Sequence, residues 1–207
     1  MESPNDNGMV IIVDDDPEVC EALVTLIRAA GHSTCVFSSG EELLESPAPK
    51  GAACLLLDLQ LPGINGIEIQ QRLLDSDWSM PVLFLTGHAN VPSAVTALKQ
   101  GAFDYIEKHN LDARKLLTRV ATAIEAHGRQ LSSEAACRAL DEKINILSPR
   151  ELEVARLAAE GQTNKVIGLT LGISERTVEV HRGKAMKKLG VRTLAELARL
   201  NDRLNPG

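Results

Sequence analysis

The sequence predicts a doubly wound α/β domain, a five-stranded parallel sheet with helices on both faces, followed by a small all-α domain of four helices. Three observations support that division. The first half alternates short apolar segments with segments of helical spacing, the second half is helical throughout, and the charge changes sign between them. At 207 residues the chain is longer than a typical single domain, and its 44% apolar content suffices for two modest cores.

Residues 1–8 form a tail ahead of the first strand. The five strand segments are MVIIV (9–13), STCVF (33–37), ACLLLD (53–58), MPVLFLT (80–86) and FDYIEK (103–108), short and in part β-branched or aromatic. Between them, residues 17–30, 40–45, 66–74 and 91–100 place apolar side chains at helical spacing. Asp16 supplies a cap and Pro17 a first-turn proline, while Gly31 and Gly101 close the helices before them. Crossovers are right-handed by default, and in open sheets of this kind the site lies beyond the carboxyl ends of the strands.

A further helix starts at Asp112 and runs past Glu125 into a more polar stretch, 126–146, where Gly128 and Ser132-Ser133 predict an interrupted helical linker. The second domain, 147–207, opens at LSPRELEV with Ser148 as cap, Pro149 as first residue and Glu151 completing a capping box. Its helices are expected at 149–160, 164–171, 174–189 and 193–201, divided by Gly161, Gly172-Ile173 and Gly190. From Asn145 onward the chain carries 11 Lys/Arg against 7 Asp/Glu, and before it 11 against 21. An anionic partner, most commonly nucleic acid, is therefore expected for the second domain only.

No run of 18 apolar residues occurs, and residues 1–13 lack the basic start and apolar stretch of a signal peptide. A soluble cytoplasmic protein with no membrane partner is expected. Cys20, Cys35, Cys54 and Cys137 form no CxxC pair and sit mostly in apolar runs, as buried reduced thiols do.

The chemistry converges on one sheet edge. Asp14 and Asp15 follow the first strand, Asp58 ends the third, Thr86 ends the fourth, and Lys108 lies just beyond the fifth. Taken singly, each has an ordinary explanation: a helix cap, a turn residue, a strand end, a solvated charge. Separate turn residues have no reason to occupy corresponding ends of four strands, and crowded carboxylates call for a hard divalent cation, naturally magnesium.

In the motifs VDDD, LLLDLQLPGING, VLFLTGH and FDYIEK, residues 9–125 resemble the receiver domain of two-component response regulators, whose sheet is flavodoxin-like. The resemblance implies that Asp58 accepts a phosphoryl group and that Asp15 and Asp58 bind magnesium with the backbone carbonyl of Gln60, Asp14 assisting through water. It also implies that Thr86 and Lys108 hold the phosphoryl oxygens and that Thr86 and Tyr105 form the switch. One departure stands out. The family usually has a cis proline after the lysine, whereas here His109 follows, so a trans bond is expected and could move the Lys108 ammonium.

In the second domain, helical steps put Val178, Ala185 and Leu189 on one face of the third helix with Met186 beside it. Arg176, Val180, Gly183 and Lys187 fall opposite, flanked by Glu179 and Lys184, a face suited to the major groove of double-stranded DNA. LSPRELEV, EGQTNKVIG, LGISERTVEVHR and KKLGV resemble the LuxR-type helix-turn-helix, with Val166 and Gly168 as modest departures. The resemblance makes 174–189 the recognition helix and implies DNA contacts from Arg176, Thr177, Glu179, Val180, Arg182, Gly183, Lys184, Lys187 and Lys188.

Together the halves resemble a FixJ/NarL-type transcriptional regulator. The resemblance implies a sensor histidine kinase as donor, a homodimer on phosphorylation, RNA polymerase as a further partner, and no enzymatic role beyond its own phosphorylation and dephosphorylation. Two other classes fit parts of the sequence. An aspartate-based phosphatase would commonly carry a second acid soon after the nucleophile, where Leu59 and Gln60 stand, and a constitutive DNA-binding protein would not need the full acidic set.

Overall fold

The computed structural model describes residues 8–76, 78–87 and 91–205. The predicted tail therefore lies almost wholly outside the described residues. Contacts divide the chain into two units, Met1–Gln130 and Leu131–Gly207.

In the first unit, β1 (Met9–Val13), β2 (Ser33–Phe37), β3 (Ala52–Asp58), β4 (Val82–Thr86) and β5 (Asp104–Glu107) pair in parallel in the order β2-β1-β3-β4-β5. Strand alternation sends side chains to two cores. Ile11, Val13, Leu55, Leu57 and Phe84 pack with Leu43 of α2 (Gly40–Glu45), Ile69 and Leu73 of α3 (Gly66–Leu74), and Ala97 of α4 (Val91–Lys99). Val10, Ile12, Cys54, Leu56, Leu83 and Leu85 pack with Cys20, Leu23 and Ile27 of α1 (Pro17–Ala29) and with Leu116, Val120 and Ala123 of α5 (Ala113–Asn145). A strand buried on both faces has no position for polar residues except at its ends, which is where the candidate site residues stand.

Three expectations are corrected, two of them concerning the linker and the cysteines and the third the last helix. The linker is not interrupted: α5 continues through Gly128 and Ser132-Ser133 to Asn145. A helical glycine costs only about 1 kcal/mol relative to alanine, and the good helix formers Ala135, Ala136, Ala139 and Leu140 follow. Nor are all four cysteines buried: Cys20 and Cys54 are, but Cys35 and Cys137 are half-buried, and all are free thiols.

The second unit packs α6 (Pro149–Ala159), α7 (Asn164–Leu171) and α8 (Glu175–Leu189) around Leu147, Val154, Ala155, Ile167, Val178, Ala185 and Leu189. The turn between α7 and α8 needs Gly172, whose φ of 66° is left-handed. Gly168 also has a use here, since a Cβ there would stand 2.8 Å from the Ile173 carbonyl oxygen at that turn. The expected fourth helix divides into α9 (Leu194–Ala198) and α10 (Asn201–Leu204). Bonds of the tighter 3-10 type, Leu200 N to Leu197 O and Arg203 N to Leu200 O, replace α-helical ones just before the poor helix former Asn201. No helix among the described residues is long and apolar enough to cross a membrane.

Candidate functional site

The sheet order puts β1 beside β3, so the loops leaving them flank the point where the strand order reverses. Asp14, Asp15 and Asp58 meet there, each offering a carboxylate oxygen within 4.8 Å of the others. The three consecutive acids after β1 divide their work. Asp16 is the helix cap, accepting from Glu18 N at 2.9 Å and Val19 N at 3.4 Å. Asp15 is exposed, and Asp14 is buried with Oδ1 accepting from Asp16 N at 3.1 Å.

Lys108 opens a single 3-10 turn, Lys108–Asn110, beyond β5. Its Nζ donates to Asp58 Oδ2 at 2.9 Å and lies 2.6 Å from Asp14 Oδ2, close enough for an ion pair but not aligned as a hydrogen bond. No peptide bond among the described residues is cis, and with a trans bond before His109 the Lys108 ammonium still reaches both acids. Burial pushes the Asp14 carboxyl up, against the pull of Lys108. Burial alone would lower the Lys108 ammonium, but its contacts with the Asp14 and Asp58 carboxylates outweigh that and hold its pKa above the ordinary lysine value.

Thr86 is fully buried at the end of β4, one residue beyond Leu85, which pairs with Asp58 of β3. Gln60 donates its backbone N to Asp58 Oδ1 at 3.2 Å, fixing the carboxylate from the loop side. Tyr105 is half-buried against the core beneath α3 and α4, and its hydroxyl is buried without a hydrogen-bond partner. One positioning residue went unnoticed in the sequence. Glu41 of α2 accepts from Ile64 N at 3.2 Å and so ties down the loop that follows Asp58. The two residues are 23 apart, and no local pattern links them.

All the ligand atoms on offer are hard oxygens, one acid faces solvent, and Asp14 Oδ2 lacks a hydrogen bond, so these residues fit a magnesium ion that retains water.

In the second unit, α8 buries Val178, Ala185 and Leu189 and exposes Arg176, Glu179, Val180, Gly183, Lys184 and Lys187. Thr177 and Arg182 are half-buried, and the Thr177 hydroxyl is 2.8 Å from that of Ser174, the helix cap. Lys188 is differently engaged. Its Nζ donates to Glu151 Oε2 at 2.6 Å and to the Ile146 carbonyl at 3.2 Å, which pins α8 to the start of α6.

Residues 10–121 match the response regulator receiver domain family, and residues 145–201 match the bacterial regulatory proteins of the luxR family. The chain is a two-component response regulator with a LuxR-type DNA-binding domain. It is 36% identical to nodulation protein W of Bradyrhizobium diazoefficiens over 197 residues, covering 95% of this chain and 86% of that protein. It is 34% identical to the transcriptional regulatory protein FixJ of the same organism, covering 93% of this chain and 94% of FixJ. The solved structure of the response regulator StyR superposes with a TM-score of 0.84 at 35% identity, covering 94% of this chain and 98% of StyR. The regulator thus pairs a receiver, whose partner is a sensor kinase, with a domain that binds DNA, and it acts in transcription.

Proposed function

We propose that the regulator accepts a phosphoryl group on Asp58 from a sensor histidine kinase and that this changes its dimerisation and its hold on DNA. The observation that carries the reading is the Asp58 carboxylate held by Lys108 Nζ at 2.9 Å, with Asp14 and Asp15 oxygens within 4.8 Å, at the mouth of a parallel sheet. An Asp58 oxygen forms a bond to phosphorus as the bond from phosphorus to the kinase imidazole breaks, and the imidazole leaves. Lys108 and Thr86 hold the phosphoryl oxygens as their charge spreads. Asp15, Asp58 and the Gln60 carbonyl hold magnesium with Asp14 assisting through water, and the ion, when bound, supplies charge neutralisation for the transfer. Thr86 and Tyr105 then report phosphorylation to the face of α4 and β5.

The organisation behind this reading is a tail at 1–8, a receiver at 9–125, a helical linker at 126–146 and a DNA-binding domain at 147–207, in a cytoplasmic protein. On the DNA side, Arg176, Thr177, Glu179, Val180, Arg182, Gly183, Lys184 and Lys187 meet the groove and its phosphates, with RNA polymerase as a downstream partner. Lys188, committed to Glu151, contributes by holding the helix.

Intact-mass measurement after incubation with a small acyl phosphate and magnesium tests the central step. Wild type gains one phosphoryl group, while Asp58→Asn, or wild type with a chelator, gains none. Equal uptake by Asp58→Asn would move the site elsewhere.

A further inference from the structure

The exposed face of α8 contains one charged residue that phosphate binding does not explain. Glu179 lies between Arg176 and Arg182 along the helix, is exposed, and has no ion pair among the described residues. A free carboxylate on a surface that approaches a polyanion is repelled unless it finds a donor. Gly183 follows one turn later. A Cβ there would meet nothing within 4 Å, so packing inside the protein does not ask for glycine. A helix-interior glycine costs about 1 kcal/mol relative to alanine, and the remaining physical use for one is close approach of another molecule. Val180, next to Glu179, is 49% exposed and offers an apolar surface that would exclude water from the same contact.

An ionised carboxylate only accepts hydrogen bonds. In the major groove the only base donors are the cytosine N4 and adenine N6 amino groups. The adenine amino group lies between two acceptors, its own N7 and the O4 of the paired thymine. Cytosine N4 has such an acceptor on one side only, the guanine O6. Repulsion therefore favours cytosine.

We infer that Glu179 is a specificity residue that accepts a hydrogen bond from the N4 amino group of a cytosine in each half-site, Gly183 leaving the room for the helix to seat that closely. This rests on the recognition-helix reading of α8. Because Glu179 is exposed and unpaired, its replacement leaves the fold intact, which a thermal melt of each full-length variant checks.

The test is selection of bound sequences from a random pool of double-stranded DNA by full-length wild type, Glu179→Ala, Glu179→Gln and Lys187→Ala. The selected sites are then titrated with single base-pair changes. Wild type is expected to prefer C·G at one position per half-site by about tenfold. Glu179→Ala loses the preference at that position alone, and Glu179→Gln moves it toward adenine, whose N6 and N7 a glutamine amide matches. Lys187→Ala weakens binding to all sequences alike and keeps the wild-type consensus. An unchanged consensus in Glu179→Ala, or relaxation at an A·T position, overturns this inference while leaving α8 as the recognition helix. If wild type selects no sequence and Lys187→Ala binds DNA as tightly as wild type, the recognition-helix reading fails and this inference with it.

Discussion

Asp14 and Asp58 are held together against their mutual repulsion by one ammonium group, and that makes Lys108 the residue whose loss is most informative. With its Nζ 2.9 Å from Asp58 Oδ2 and 2.6 Å from Asp14 Oδ2, it is the only cation ion-paired to either acid among the described residues. Lys108→Ala is expected to slow phosphoryl uptake from a small acyl phosphate by about 10²-fold, the usual cost of removing one preorganised charge from a transferring group. The rate of mass increase measures it, and a rate within a few-fold of wild type would mean that the ammonium does not contact the transferring phosphoryl. Gly66 packs closely against the backbone of the same aspartate. A Cβ there would stand 2.5 Å from the Asp58 carbonyl oxygen and 2.9 Å from Phe84 Cε1. Because one of these neighbours is strand backbone, Gly66→Ala should cost about 1–3 kcal/mol in urea unfolding.

Among the elements, the start of α6 shows how a local signal and a distant partner combine. The Ser148–Glu151 capping box is present, with Glu151 N donating to Ser148 Oγ at 3.3 Å and Ser148 N donating to Glu151 Oε2 at 2.9 Å. Lys188, 37 residues away, then donates to the same Oε2 at 2.6 Å. The Lys188 ammonium, followed by the Ser148 amide, draws the Glu151 carboxyl down to about 2 from an ordinary value of 4.5. A depressed carboxylate stabilises the fold above its unfolded pKa, so this contribution should be complete above pH 4.5 and fade as pH falls toward 2. Glu151→Gln should cost about 1–3 kcal/mol at pH 7 and much less at pH 2, read from melting of the protein at both pH values. Lys188→Ala should lower stability in the same way, whereas Lys187→Ala should lower DNA affinity with little change in melting.

The pairing with Lys188 was not legible in the sequence, where Lys187 and Lys188 look alike; both are exposed, and only the turn of α8 around its core brings one of them to Glu151 of α6. The strands and the acid cluster were legible, because apolar runs end where a parallel sheet opens and carboxylates stand at those ends. The continuity of α5 was hidden by Gly128, since one glycine weakens a long helix without deciding whether it stops. The division at Leu200 was hidden for the opposite reason, a tightened turn with no proline or glycine to announce it.

On the scale of the whole molecule, a negatively charged receiver and a positively charged DNA-binding domain share α5, whose Leu116, Val120 and Ala123 belong to one core while Leu140 and Ile144 pack against the other. A single DNA-binding domain contacts one half-site. Two held together meet a paired site with the second contact made intramolecular, which can raise affinity by about 10²-fold or more without any new interaction. The Tyr105 hydroxyl, buried without a hydrogen-bond partner, is a polar group whose burial is uncompensated in this state. A rearrangement around Thr86 and Asp58 that gives it a partner, or water, would alter the face of α4 and β5 and bias the two-state equilibrium on which dimerisation depends. Treatment with an acyl phosphate and magnesium is therefore expected to shift wild type toward a dimer in sedimentation and to tighten its binding to a paired operator by about 10²-fold, with Asp58→Asn unchanged in both. Tyr105→Phe removes the uncompensated hydroxyl and keeps the ring, so it should take up phosphoryl at the wild-type rate and dimerise at least as readily. If fully phosphorylated wild type matches Asp58→Asn in both sedimentation and DNA titration, phosphorylation is not read out through dimerisation, and the tighter hold on DNA must be sought in the single chain.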